Sequence, residues 1–292
     1  MKRAGAPHNR TCFRKVPPLA FKGIGLGKPD RPEQMQVMNA KPKTLSNSEL
    51  DRKVDRAARS VAKFGMQALI YDFSPVPFTP EGELITPTLL ASRNIPGEMA
   101  QLWCNDGFYQ LDPVQKIALA RARPVYWSYH ADESSELSNR RNIPAEVADF
   151  LRERKLARGI TVAVRGGTRG LATVTGIWNE RPPERRLDNE LAAAFTLMAH
   201  ELQDEIMASI SDEAMMTTAV RLTPREMECL RLCADGQPDK QVAHALDRSL
   251  STVIMHMQSA MKKLGARNRA QTLARAAHYG LLDPVPSCRP NL

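Results

Sequence analysis

Apolar residues at helical spacing mark the first ordered stretch. Leu50, Val54, Ala57, Val61 and Phe64 share one face of a helix from about Ser48, a capping residue, to Phe64. Met66 to Phe73 (MQALIYDF) predicts a strand, followed by a Pro-rich loop from Ser74 to Pro87. A helix is expected after Pro96, with Met99 and Trp103 on one face, and another at Asp112-Pro113, with proline in its first turn. Pro124 to Tyr129 is extended, and Pro144 to Ala157 is an amphipathic helix. Two strands, Gly159 to Val164 and Gly170 to Ile177, flank Arg165-Gly-Gly-Thr-Arg169, so these glycines serve a hairpin. A long helix from Arg185 to about Ile210 closes the block. Helices on either side of a hairpin-connected sheet predict an α-β-α sandwich.

From residue 220 the pattern is helical throughout. Thr223-Pro224-Arg225-Glu226 combines a cap, an N1 proline and a capping box, and Asp235-Gly236 stops the helix. Pro238 opens a short helix with Val242, Ala243 and Leu246 inward. After the turn Asp247-Arg248-Ser249 comes a helix from Leu250 to Leu264. Its apolar stripe is Val253, Met257, Ala260, Met261 and Leu264. Its other face carries Ser251, Thr252, Ile254, Met255, Gln258, Ser259 and Lys262. A final helix spans Ala270 to His278. Two short helices, the second with a polar and partly basic face, are a helix-turn-helix signal. The predicted class is therefore α+β: an N-terminal sandwich, then an all-α helix-turn-helix domain.

Composition changes this picture mainly through charge. The 292 residues carry a net charge of +9. Residues 1–48 hold +8 of it, residues 49–216 hold −4, and residues 217–292 hold +5. The first block has prolines and glycines but no apolar periodicity, and reads as a disordered basic tail. Met35 and Met38 offer later translation starts. Lys28 follows Gly27, but Pro29 occupies the Ser/Thr position of a phosphate loop and Lys22 its first glycine, which excludes that motif. The expected organisation is a tail (1–48), a sensor domain (49–210), a linker (211–219), a DNA-binding domain (220–283) and a short tail (284–292).

No apolar run reaches membrane-spanning length and no secretory signal opens the chain, so a cytoplasmic protein is expected. Five cysteines without a CxxC pair fit a reducing compartment. Cys229 and Cys233, four apart, read as one buried helix face and not as metal ligands. His130 and His200 stand alone, and there is no GxSxG or metal-ligand cluster, which argues against an enzyme. No cofactor is expected beyond a small-molecule effector. Six of the sixteen aromatic residues fall between 103 and 129. They are either packed core or the wall of a pocket with Asp112 as its polar anchor. In the last block, Arg248, Lys262, Lys263, Arg267 and Arg269 suit phosphates, and Thr252, Met255 and Gln258 suit base edges.

These residues resemble a known family. Leu222-Thr-Pro-Arg-Glu226, Cys229-Leu230, Asp235-Gly236, Val242-Ala243, Leu246, Ser249, Thr252-Val253, His256, Lys263-Leu-Gly265 and Asn268-Arg269 resemble the LuxR-type helix-turn-helix domain. Glu226, Leu230 and Gly236 match positions the family rarely varies. Ile254 departs, standing where many members carry Lys or Arg. Asp112-Pro-Val114, Pro124, Trp127, Gly159 and Thr161 are similar to that family's autoinducer-binding domain. The resemblance implies that Asp112 accepts a ligand amide N–H, that Trp127 walls the pocket, and that Thr173 and Thr175 reach a ligand carbonyl. It also implies a homodimer placing two recognition helices on an inverted-repeat promoter, with RNA polymerase as a further partner.

One departure bears on the ligand. Where acyl-homoserine lactone receptors carry Trp and Tyr, this chain has Met99 and Trp103. Methionine has no N–H to donate to a lactone carbonyl, a loss of about 1 kcal/mol or more in a buried site. The pair resembles the orphan ("solo") LuxR-type subgroup of plant-associated bacteria, which implies a plant-derived or other non-lactone signal. The alternative is a conventional lactone receptor with a repacked pocket. A receiver-controlled regulator lacks its clustered acidic residues here. A ligand-independent binder whose first domain only dimerises is a further reading. Because most of the charge sits in the tail, a chain starting at Met38 should keep near-full affinity for its specific DNA site. Its nonspecific binding should show a shallower salt dependence, measured by titration at several salt concentrations. Loss of specific binding would overturn the division.

Overall fold

The computed structural model describes residues 48–133, 135–138, 143–165, 170–182, 189–210, 215–217 and 219–282. The basic tail, the C-terminal tail, most of the linker, the hairpin loop 166–169 and the expected start of the long helix lie outside the described residues.

Helix α1 (Ser48–Ala62) buries Leu50, Val54, Ala57 and Val61. It stops short of Phe64 because Gly65, at φ 76°, turns the chain into strand β1 (Ala68–Ser74). Strand β2 (Leu89–Arg93) pairs antiparallel with β1. The sequence pattern gave no sign of it, since the Pro-rich loop was the dominant local signal. Arg93 holds this edge by bonding Asp51 and Asp55 of α1. Then come α2 (Gly97–Cys104), α3 (Phe108–Leu111), α4 (Pro113–Leu119) and β3 (Val125–Ser128). Helix α5 (Ala145–Glu153) ends four residues before the expected Ala157. Lys155 takes φ 57° and the Leu156 N–H closes the end on the Leu151 carbonyl at 2.8 Å. Leu156 and Ala157 are buried beyond it. Strands β4 (Arg158–Arg165) and β5 (Leu171–Ile177) and helix α6 (Asn189–Met207) complete the unit.

The sheet runs β2-β1-β5-β4-β3, with every neighbouring pair antiparallel. Alternation divides its two faces. Leu69, Tyr71, Phe73, Ile160, Val162, Val164, Ala172 and Val174 pack with α1 and α6. Ala68, Val125, Trp127 and Ile177 pack with residues of α2, α3, α4 and α5. This is the expected α-β-α sandwich. Two glycines permit it. A Cβ on Gly176 would stand 2.3 Å from Met66 Sδ and 2.9 Å from Phe195 of α6. One on Gly159 would stand 2.6 Å from the Trp127 ring, its register partner.

The second unit comprises α7 (Pro224–Ala234), α8 (Asp239–Ala245), α9 (Leu250–Lys263) and α10 (Arg269–His278). The expected capping box on Thr223 and Glu226 is present, and Gly236 stops α7 at φ 85°. Cys229 and Cys233 are buried, as their spacing predicts. Glu226 does more than cap. Its buried carboxylate accepts from Lys263 Nζ at 2.8 Å and Ser259 Oγ at 2.7 Å, both on α9, and from the Thr223 N–H at 2.7 Å. These donors hold its pKa below the usual carboxylate range against the opposing effect of burial.

Glu226→Ala should therefore destabilise this unit by about 2–3 kcal/mol. The cap contributes about 1 kcal/mol, and the remainder is the charge-assisted bonds, discounted because Lys263 is partly exposed. Urea unfolding followed by circular dichroism measures it. A change below about 0.5 kcal/mol would show that the network is not structural.

Candidate ligand cavity and nucleic-acid interface

A cavity of about 100 Å³ lies between the sheet and α2. Met99 and Trp103 line it, as expected, together with Ile70, Asp72, Leu90 and Tyr109. Trp103 is fixed by Phe108 and Phe150, with ring centroids 5.6 and 6.1 Å away. The aromatic segment is thus both core and pocket wall.

Four other expected ligand residues lie behind this lining. Asp112 is buried at the start of α4, where Oδ1 accepts the Val114 N–H at 2.9 Å and the Tyr129 hydroxyl at 2.5 Å. Burial raises its pKa to about 6 against the lowering effect of those two donors. Trp127 donates its indole N–H to Thr161 Oγ1 at 2.9 Å, and Thr161 shares a hydroxyl contact of 2.9 Å with Thr175. Thr173 bonds Asp72 and lies 3.0 Å from Gln115 Oε1. The face of the sheet toward the cavity thus carries a continuous buried polar strip.

Asp72, which the sequence reading passed over, is the carboxylate that lines the cavity. Its register partner on β5 is Thr173, and Tyr109 donates to its Oδ1 at 3.3 Å. Burial pushes its pKa to about 7. The Thr173 and Tyr109 bonds lower it, and the Asp112 charge raises it further. Cys104 beside it is pushed to about 12 by burial and by the Asp72 charge. The signal available in the sequence was a lone acid inside an otherwise apolar strand, MQALIYDF.

His130, Asp132 and Glu133 bring ligand atoms within 4.8 Å of one another, so His130 is less isolated than its sequence context indicates. Glu133 is already paired with Arg158 and accepts from Ser128 Oγ at 2.7 Å, which accounts for its charge.

On α9, Ser251, Ile254, Met255, Gln258 and Lys262 are exposed, and Thr252 is half-buried with its hydroxyl 2.8 Å from the Ser249 cap. Arg248 and Arg267 are exposed at either end of the helix. Two of the expected phosphate ligands have partners inside the unit. Lys263 pairs with Glu226, and Arg269 pairs with Asp239 and donates to the Gln237 carbonyl. Tertiary packing supplies those acids, and spacing alone could not reveal them.

The two buried acids set a pH dependence. Their folded pKa values are raised, so the folded chain holds more protons than the unfolded chain between about pH 4 and 7. Their contribution to stability is complete at low pH and is lost as pH rises through about 6 and 7. Asp72→Asn should flatten this fall and raise the melting temperature at pH 8. Thermal melts from pH 5.5 to 8 check it, and an unchanged slope would contradict the assignment.

Comparison with known proteins places both units. Residues 51–206 match the autoinducer binding domain family, and residues 220–276 match bacterial regulatory proteins of the luxR family. Transcriptional activator protein VanR of Vibrio anguillarum is 26% identical over 201 residues, covering 69% of this chain and 80% of VanR. Regulatory protein SdiA of Escherichia coli is 27% identical over 222 residues, covering 74% and 86%. A crystal structure of SdiA superimposes with a TM-score of 0.52 at 22% identity, covering 82% of this chain and 94% of SdiA. A second, SdiA in complex with octanoyl-rac-glycerol, gives a TM-score of 0.50 at 22% identity over 81% and 91%. Among the described residues no helix is long and apolar enough to cross a membrane. The sandwich, its cavity and the capped helix-turn-helix unit are those of a transcriptional regulator, and the chain belongs to the LuxR family, with an autoinducer-binding domain and a C-terminal DNA-binding domain.

Proposed function

We propose that this regulator is an activator whose sandwich senses a plant-derived or other non-lactone small molecule. As a homodimer it would hold two copies of α9 on an inverted-repeat promoter and recruit RNA polymerase there. The carrying observation is the cavity wall. Met99 stands in it without an N–H for a lactone carbonyl, and Trp103 fills the neighbouring space. SdiA, bound to octanoyl-rac-glycerol, is a relative whose ligand has no lactone ring. Asp112 is assigned as the acceptor for a ligand amide, reached when Tyr129 yields its bond; Trp127, Thr173 and Thr175 shape the polar strip behind it. The relatives named as transcriptional activators support activation over repression.

Exposed Ile254 and Met255 support α9 as the base-reading surface. They are 38% and 56% exposed on a helix whose opposite face is packed, and an apolar pair suits thymine methyl groups. Arg248, Lys262 and Arg267 suit the flanking phosphates, and Ser251, Thr252 and Gln258 the base edges. The match to the autoinducer-binding family favours a second reading, a conventional acyl-homoserine lactone receptor.

Ligand binding can shift DNA occupancy only by its differential affinity for the two states. Footprinting on the adjacent promoter should show protection that deepens with plant extract and does not change with acyl-homoserine lactones. Identical protection with and without extract would remove ligand control. Protection that follows the lactone would establish the second reading.

A further inference from the structure

Among the described residues, Asp72 is the sole carboxylate in the cavity lining, and no Lys, Arg or His lines it. Every group bonded to it is neutral. The Thr173 hydroxyl lies against both Asp72 Oδ2 and Gln115 Oε1, yet has one proton to give. A protonated Asp72 resolves this by donating to Thr173, which then donates to Gln115. The charged form leaves one of the two acceptors without a donor unless the Gln115 amide turns its N–H₂ toward Thr173. The neutral acid is thus satisfied within the protein, and its ionised form faces the cavity with the Tyr109 hydroxyl and no cation beside it. Trp103 and Tyr109 line the same cavity, and aromatic faces attract cations. A carboxylate that lines a largely apolar cavity together with two aromatic residues is suited to a substituted ammonium head. A ligand carboxylate would be repelled there, and a ligand carbonyl would find no cation.

We infer that the cavity takes the protonated amine of an amphipathic molecule, paired with the Asp72 carboxylate, its apolar part lying along Ile70, Leu90 and Met99. This rests on the sandwich being a small-molecule sensor, and it names the chemical class of the signal. On binding, Asp72 gives its proton to solvent, the ammonium donates to the carboxylate, and the Thr173 hydroxyl turns to it beside the Tyr109 hydroxyl, which already donates.

The test uses the full chain and two isosteric probes, hexylamine and hexan-1-ol, followed by calorimetry and tryptophan fluorescence at pH 8. The amine should bind at least tenfold more tightly than the alcohol. Asp72→Asn should abolish that preference and leave alcohol binding in place. Should the variant not fold, a pH series on the unaltered chain decides. Amine affinity should rise about tenfold from pH 6 to 8 as Asp72 ionises, with alcohol affinity flat. Over that range the amine stays protonated, as its class titrates above about pH 10. Of the other titratable groups facing Asp72, Tyr109 of α3 and Cys104 of α2 are pushed above their usual values and stay neutral, and Asp112 of α4 ionises near pH 6, adding to the attraction. Equal binding of amine and alcohol, or a flat pH series for the amine, would overturn the amine assignment while leaving a small-molecule sensor intact. Saturation by neither probe would count against both.

Discussion

Two carboxylates buried against neutral partners are the constraint on which the sensor unit depends. Removing an ionised group from water is costly unless donors replace the solvent. Asp112 finds them in the Val114 N–H and the Tyr129 hydroxyl, and so fixes the start of α4 against β3. Asp72 finds them in Thr173 and Tyr109, and so ties α3 to the middle of the sheet. The groups that hold these helices down are therefore the ones that shape the cavity between them. Neither acid has a basic partner, so each holds its proton to an unusually high pH. A hydrophobic isostere would bury more cheaply here, so the two acids are not explained by stability.

The cavity also shares a covalent segment with the helical unit. Strand β1 carries Asp72 into the loop before β2, and Pro87 at the end of that loop and Leu90 of β2 line the same cavity. Between them, Ile85 is buried among Leu230, Ala260 and Ala276 of the helical unit. Glu81 pairs with Arg275, and the Phe78 carbonyl lies 2.8 Å from His278 Nε2, both residues of α10. Both ends of the segment seated on α10 therefore border the cavity. Such a seat gives the two domains a physical connection through packing and hydrogen bonds, without a wire of specialised residues.

Much of this fold was legible in the sequence because its signals are local. The periodicity of α1 and α9, the Thr223 capping box and the Arg158–Ile177 hairpin each depend on residues close in the chain. What was hidden depends on tertiary context. β1 is buried on both faces, so MQALIYDF carries no alternation to show that Ile70 and Asp72 face the cavity while Tyr71 and Phe73 face α6. β2 is a half-buried edge whose identity comes from its pairing with β1. Asp112 was conspicuous because it precedes proline, and that local role is the one it fills most visibly, as the cap of α4. Met99 and Trp103 line one cavity because their spacing on one helix fixes a shared direction.

Charge shows the same division between count and position. Most of the net +9 belongs to residues 1–48, and the helical block carries +5. Packing reduces what that block can present. Lys263 pairs with Glu226 and Arg269 pairs with Asp239 within the unit, whereas Arg248 and Arg267 are exposed at either end of α9. Each phosphate neutralised on duplex DNA contributes a salt-dependence slope of about 0.9, so every cation paired within the unit lowers the electrostatic hold. Under the proposed reading, occupancy of a promoter then draws on base-edge contacts along Ile254, Met255 and Gln258 and on a second copy one helical turn away. That is the physical reason the proposed reading requires a dimer.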